Sequence, residues 1–273
     1  MKLTPAQKAS FRKTVKEFYL SHKRLLPWRE NVSPYTVFIS EVMLQQTQVQ
    51  RVRTKFGPFV ERFPDFATLA AATLEEVLQL WKGLGYNRRA QSLRNAAQII
   101  VNEYDGTLPS SPEELKKLPG IGVATAASIA AFAFNAPTLF LETNIRTVYI
   151  HHFFPNRSDV SDHELLELAE QTIDRTNASD WYSALMDYGT ELKKQEGNLT
   201  RNSAYYKKQS SFSGSRRQLR GLVLSLLLEN KTMNLNLIVQ NLERDAEQIS
   251  EVLEHLTKEG IVAKKRSSYV LAE

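Results

Sequence analysis

Through residues 1–195 the apolar positions recur three and four apart, the spacing of amphipathic helices, with polar residues between them. Thr4-Pro5 reads as a cap followed by a first-turn proline, and Phe11, Val15, Phe18 and Tyr19 then make a stripe. Leu26-Pro27-Trp28-Arg29 reads as a loop, and Ser33-Pro34 opens a strongly apolar helix. Thr73-Leu74-Glu75-Glu76 has the spacing of a capping box ahead of Val77, Leu78, Leu80 and Trp81. Gly83-Leu84-Gly85 breaks the pattern, the next helix runs to about Tyr104, and Asp105-Gly106 turns the chain. Helices over 112–117 and 123–134 flank a glycine turn, and Ser161 with Glu164 makes a second capping box. No alternating strand pattern occurs before the C-terminus, so the periodicity predicts an all-α domain over residues 1–196.

Residues 197–215 are polar, rich in Ser, Asn and Gly, and aperiodic, which predicts an extended connection. A smaller unit follows over 216–273. Helices are expected at Arg217–Glu229, Asn234–Leu242 and Asp245–Glu259, and Ile261-Val262-Ala263 and Tyr269-Val270-Leu271 flank Lys264-Lys265-Arg266-Ser267-Ser268. Three helices and a hairpin match a winged helix, whose third helix would enter a DNA groove. That helix carries Glu247, Glu251 and Glu254 against Lys258 alone, so phosphates would repel it. The basic hairpin tip is the better DNA contact; equally, this unit braces the larger one or binds a protein.

The 273 residues are 42% hydrophobic, enough for a core, and no apolar run has the length of a membrane span. The N-terminus lacks the apolar stretch of a secretory signal, which leads to the expectation of a cytoplasmic, nucleoid-associated protein. The net charge of +5 is concentrated: Lys193, Lys194, Arg201, Lys207, Lys208, Arg216, Arg217 and Arg220 face only Glu196, with Tyr205, Tyr206 and Phe212 among them. Such a run is either a solvated linker or a track for phosphates. The sequence holds no cysteine, which rules out disulfides and an iron–sulphur cluster held by thiolates. Adjacent His151 and His152 point apart on a helix and read as structural, so no cofactor is expected.

Chemistry concentrates in Ile39-Ser40-Glu41-Val42-Met43-Leu44-Gln45-Gln46-Thr47-Gln48-Val49. Apolar neighbours raise the pKa of a carboxyl group, which makes Glu41 a candidate proton donor near neutral pH. Gln45, Gln46 and Thr47 supply hydrogen-bonding groups suited to DNA. A mid-helix glutamate taken alone is usually solvated, so its neighbours carry the reading. In Leu118-Pro119-Gly120-Ile121-Gly122-Val123-Ala124-Thr125, two glycines between helices let a backbone approach a ligand, and the amides opening the second helix can take a phosphate. The alternative is an ordinary interhelix turn. Glu142, in Leu141-Glu142-Thr143-Asn144-Ile145-Arg146, stands at a helix start, where a carboxylate also serves simply as a cap.

These blocks, with Trp81-Lys82-Gly83-Leu84-Gly85-Tyr86 and Ala184-Leu185-Met186-Asp187-Tyr188-Gly189, resemble the helix-hairpin-helix (HhH-GPD) DNA glycosylases, most closely the MutY-type adenine glycosylases, over roughly residues 20–195. The resemblance implies a two-lobed all-α fold that binds double-stranded DNA carrying a damaged or mismatched base and acts as a monomer. It implies that Glu41 protonates the flipped purine, that Glu142 with Asn144 stabilises the sugar cation, and that Trp28, Arg29, Leu44 and Asp187 line the base pocket. Gln45, Gln46, Thr47, Tyr86, Asn87, Arg88, Arg89, Gly120, Gly122, Ala124, Thr125 and Arg146 would meet the DNA.

The chain departs from the family at several points. Glu142 stands where the family has aspartate. Asn87 replaces a tyrosine that wedges into the base stack, and the four-cysteine loop is missing. The winged-helix unit replaces a domain that recognises 8-oxoguanine. Ala124 stands where bifunctional relatives have a Schiff-base lysine, which implies a monofunctional enzyme. Adenine opposite 8-oxoguanine or guanine is the expected substrate. A different damaged or mismatched base, and a non-catalytic DNA-binding protein on this scaffold, are the alternatives.

Overall fold

A computed structural model describes residues 1–204, 206, 212 and 214–272. Its helices are α1 (Pro5–His22), α2 (Pro34–Leu44), α3 (Val49–Arg62), α4 (Phe66–Ala71), α5 (Leu74–Trp81), α6 (Arg88–Glu103), α7 (Pro112–Leu115), α8 (Val123–Phe134), α9 (Thr143–Phe153), α10 (Asp162–Thr172), α11 (Ala178–Glu196), α12 (Arg216–Asn230), α13 (Leu235–Leu242) and α14 (Ala246–Lys258). Strands β1 (Thr232–Asn234), β2 (Val262–Lys265) and β3 (Ser268–Leu271) lie near the C-terminus. The expected starts hold for a local reason. Thr4, Thr73 and Ser161 each accept a hydrogen bond from the third helical amide, and the side-chain oxygens of Gln7, Glu76 and Glu164 accept one from the cap backbone amide. Pro27–Arg29, expected as loop, winds into one 3₁₀ turn, since Pro27 presets the first helical φ.

The contacts divide the chain into two units, Met1–Glu41 with Ser110–Lys117 and Ile121–Lys208, and Val42–Pro109 with Leu118–Gly120 and Gln209–Glu273. The core of the first gathers α1, α8, α9, α10 and α11 around Phe11, whose ring lies 5.4 Å from Tyr149 and 5.9 Å from Trp181. His152 belongs to this aromatic cluster: it contacts Phe11 edge-on and hydrogen-bonds Tyr188 Oη, and burial drives its pKa down to about 4. The second unit buries Phe59, Phe63, Leu69, Leu74, Trp81, Leu93 and Ile100 from α3 to α6.

The division expected at residues 196 and 216 therefore differs from the one the contacts draw. The C-terminal helices pack into the second unit, where α12 meets α5. Polar links join them: Lys82 Nζ to Glu229 at 2.8 Å, Gln91 Nε2 to the Gly260 carbonyl at 2.9 Å, and Lys231 to Glu75. Local periodicity cannot register such links, which span more than a hundred residues of sequence. Within this segment Val223, Leu227, Ile238, Ile249, Leu253 and Leu256 are buried, and α12 and α13 both pack against α14. The hairpin gains a strand the pattern missed. The sheet order is β1-β3-β2, with Met233 opposite Tyr269, because a three-residue strand is too short to show alternation. Tyr205, Lys207 and Lys208 of the basic stretch lie outside the described residues. Among the described residues no helix is long and apolar enough to cross a membrane.

Candidate active site

Helix α2 is apolar on every side: Val37, Phe38, Ile39, Val42 and Met43 are buried, and Glu41 is its one charged residue. The residue keeps a partly exposed edge, while protein hems in its carboxyl group. Ser128 Oγ, on α8, lies 2.6 Å from Glu41 Oε2 and 3.0 Å from the Thr125 carbonyl. Among the described residues Oε1 takes no hydrogen bond, and it is not sealed from water. Burial pushes the Glu41 carboxyl up to about 7; the Ser128 hydrogen bond opposes this, the charge of Glu142 adds to it, and Arg29 opposes it. A carboxylic acid that titrates near neutrality is suited to giving up a proton at physiological pH.

Glu142 is the residue before α9, but its side chain accepts no capping bond from the second or third helical amide. Water reaches the side chain, yet desolvation is the largest influence on its carboxyl and raises its pKa, with Arg146 opposing. Half-buried Asn144 follows two residues later. Gly189 explains how α9 starts so close to α11. A Cβ at 189 would fall inside contact distance of the Asn144 backbone oxygen, so only glycine permits this approach. Sequence reading included Gly189 in a motif without finding this role, because its partner is forty-five residues away.

Asp187 corrects an expectation. Its carboxylate is 2% exposed and saturated: the Arg24 backbone amide and Nε donate at 2.9 and 2.6 Å, and Arg29 Nη1 donates to both oxygens at 3.0 and 2.9 Å. A carboxylate so engaged anchors two arginines and cannot also read a base. Arg29 is thereby fixed in the field of Glu41, beside buried Trp28. Leu44, half-buried, ends α2.

The expected DNA-contacting residues divide into two groups. Arg89 turns inward. It donates to the Val42 and Met43 carbonyls at 2.8 and 2.9 Å, to Thr47 Oγ1 at 2.8 Å and to Gly85 at 3.1 Å, and its guanidinium lies over the Trp81 ring. It ties down the bare carbonyl end of α2 and holds the Gln45–Thr47 turn. Desolvation lowers its pKa to about 10. These bonds make it a structural clamp on the end of α2. Arg146 likewise pairs through both nitrogens with Asp162.

In the second unit Gln45, Gln46, Tyr86, Asn87, Arg88 and Arg89 line one cavity of about 580 Å³ together with Ser92, Gly120, Arg220 and Glu259. Gln46 and Tyr86 both have positive φ, at 53° and 48°, a conformation that costs energy for residues with a Cβ and gathers at functional sites. Gln45 Nε2 donates to the Gly120 carbonyl at 3.1 Å. Gly120 needs its glycine, with φ at 78° and Ser92 filling the place of a Cβ. Gly122, which caps α8 at an ordinary φ of −86°, has nothing within 4 Å of where a Cβ would be. Ala124 is exposed and Thr125 half-buried on the first turn of α8. Arg220, which the sequence offers only as part of a basic run, pairs with Glu259 at this cavity, a placement not legible while the C-terminal segment reads as a separate domain. The acidic face of α14 is exposed, and Glu251 pairs there with Arg216 at the surface.

The family of HhH-GPD superfamily base excision DNA repair proteins matches residues 39–173. The chain is 38% identical over 168 residues to an adenine DNA glycosylase of Buchnera aphidicola subsp. Baizongia pistaciae, covering 61% of this chain and 48% of that protein. It is 38% identical to the adenine DNA glycosylase of Rattus norvegicus, over 68% of this chain and 39% of that protein. The chain thus spans about half or less of these relatives. It is 33% identical to the adenine DNA glycosylase of Mycolicibacterium smegmatis, over 79% of each. Among solved structures, a thermostable thymine-DNA glycosylase superposes with a TM-score of 0.61 at 24% identity, over 74% of this chain and 97% of that one. A trapped endonuclease III–DNA covalent intermediate gives 0.57 at 21%, over 68% and 85%. At these identities the likeness is one of fold.

Proposed function

The chain belongs to the HhH-GPD superfamily of base excision DNA repair proteins, and on that footing we propose that it is a monofunctional DNA glycosylase. It removes a flipped-out base from duplex DNA, adenine opposite 8-oxoguanine or guanine being the favoured substrate. The observation that carries this reading is Glu41, a carboxyl group raised to about 7 in an apolar helix, with a second carboxylate, Glu142, within its electrostatic reach. The pairing suits N-glycosidic hydrolysis. Glu41 gives its proton to a ring nitrogen of the base. The C1′–N bond then breaks, and its electron pair leaves with the base. Ionised Glu142 stabilises the cationic sugar, as paired carboxylates do in glycoside hydrolysis, and water adds at C1′ with loss of a proton. Arg29 and Trp28 border the base, and Gly122 with the first turn of α8 takes a phosphate.

Ala124 offers no amine for a Schiff base, so the abasic site is left uncut. The sequence has no cysteine to hold an iron–sulphur cluster, and in this reading the protein is a monomer in the cytoplasm at the nucleoid. The test is a panel of end-labelled duplexes, each with one lesion or mismatch, incubated with protein and then with alkali. Breaks at adenine opposite 8-oxoguanine or guanine, alkali-dependent and lost in Glu41→Gln, are the expected result. Breaks at another base would change the substrate, and binding without breaks across the panel would leave only a DNA-binding protein.

A further inference from the structure

The two oxygens of Glu41 are treated differently. Oε2 meets Ser128 Oγ at 2.6 Å, and Oε1 meets no donor or acceptor among the described residues. Ser128 is 1% exposed on α8, and its single hydroxyl proton has two acceptors within reach, Glu41 Oε2 and the Thr125 carbonyl at 3.0 Å. The carbonyl can only accept, so the hydroxyl divides its proton between them. A neutral carboxyl competes weakly for that proton. A carboxylate competes strongly, because hydrogen bonds to an ionised acceptor are about twice as strong.

Resting on the glycosylase reading above, we propose that Ser128 is a positioning residue for the acid. Its hydroxyl reserves Oε2 as the accepting oxygen, so that the transferable proton of Glu41 rides on the unpartnered Oε1. When Oε1–H breaks and the proton passes to the base, the negative charge left behind is met at Oε2 by a hydrogen bond already in place. That bond is stronger in the transition state than before it, which is the condition for raising the rate rather than the affinity. The other charged groups acting on Glu41 come from separate elements. Glu142 precedes α9, and Arg29 lies in the 3₁₀ turn, fixed by Asp187 of α11. Helix α2 contributes no other charge. Among the described residues Ser128 is thus the neutral hydrogen-bond partner whose donor can follow the titration. Read from sequence, Ala126-Ala127-Ser128-Ile129 is an ordinary small-residue helix, and the contact bridges eighty-seven residues.

Ser128→Ala tests this, since alanine suits a helix interior and adds no volume. Two measurements are made. The first follows the Glu41 side-chain carboxyl by 13C NMR titration in the free protein. The second records single-turnover excision against pH. In the variant the NMR midpoint moves to higher pH and the basic limb of the rate profile moves with it. The low-pH plateau falls about ten- to a hundredfold, the size of one lost hydrogen bond to a charged group, with KM and melting temperature unchanged. An unmoved midpoint and limb, or a loss confined to KM, overturns the proposal. Should the wild type excise no base from any duplex, the glycosylase reading falls and the proton-delivery role falls with it. A wild type that excises normally beside a variant with an unmoved limb sinks only the role of Ser128.

Discussion

Two carboxylates in the first unit, Glu41 and Asp187, show opposite treatment of the same chemical group. Asp187 is wrapped by the Arg24 amide and two guanidinium groups, which use both oxygens. Glu41 receives one hydroxyl on one oxygen and apolar helix elsewhere. The first arrangement holds a fixed negative charge that orients arginines. The second makes the charge expensive and the proton available. A sequence motif records both as acidic positions. Their partners decide that one is an anchor and the other an acid.

The largest effect should come from removing the proton. Glu41→Gln keeps the shape and should slow excision by about 10²–10⁴-fold, read from single-turnover rates. Breaking the anchor is next. Asp187→Asn leaves Arg24 and Arg29 without their counter-charge and should cost about 3–5 kcal/mol in urea unfolding. A smaller loss in the anchor would place the Arg24–Asp187–Arg29 cluster among weak surface pairs.

The cost of the acid can be read from stability. Glu41 has a folded pKa of about 7 against an ordinary 4.5, so the native state binds the extra proton. Its contribution is fully present below pH 4.5 and lost as pH rises through 7, amounting to roughly 3 kcal/mol at one unit per 1.36 kcal/mol. Glu41→Gln should therefore be more stable than wild type at pH 8, by up to that amount, and no more stable at pH 4. Equal differences at both values would mean that the carboxyl is not desolvated. The smallest effect tests position rather than charge. Gly189→Ala presses on the Asn144 backbone and should cost about 1–3 kcal/mol while slowing excision, through displacement of Glu142.

Much of this was legible locally. The Thr73 and Ser161 capping boxes, the glycine turn at 120–122 and the apolar setting of Glu41 depend on neighbours within a few residues, and the structure has them where the pattern predicts. Partners remote in sequence were not legible. Arg89 beside a glycine turn reads as a phosphate ligand until its carbonyl partners on α2, more than forty residues away, are seen. Asp187 gives no sign in sequence of the two arginines that occupy it. β1 escaped because three residues cannot display a period, and the attachment of α12 to α5 because it depends on packing between distant segments.

Gly122 is a residue the folded chain does not itself require. Its backbone angle is one any amino acid adopts, and a methyl group there would touch nothing. Glycine outranks alanine at a helix cap, so Gly122→Ala should lower stability by at most about 1 kcal/mol. Binding lost beyond that would measure the ligand's own claim on the space before α8.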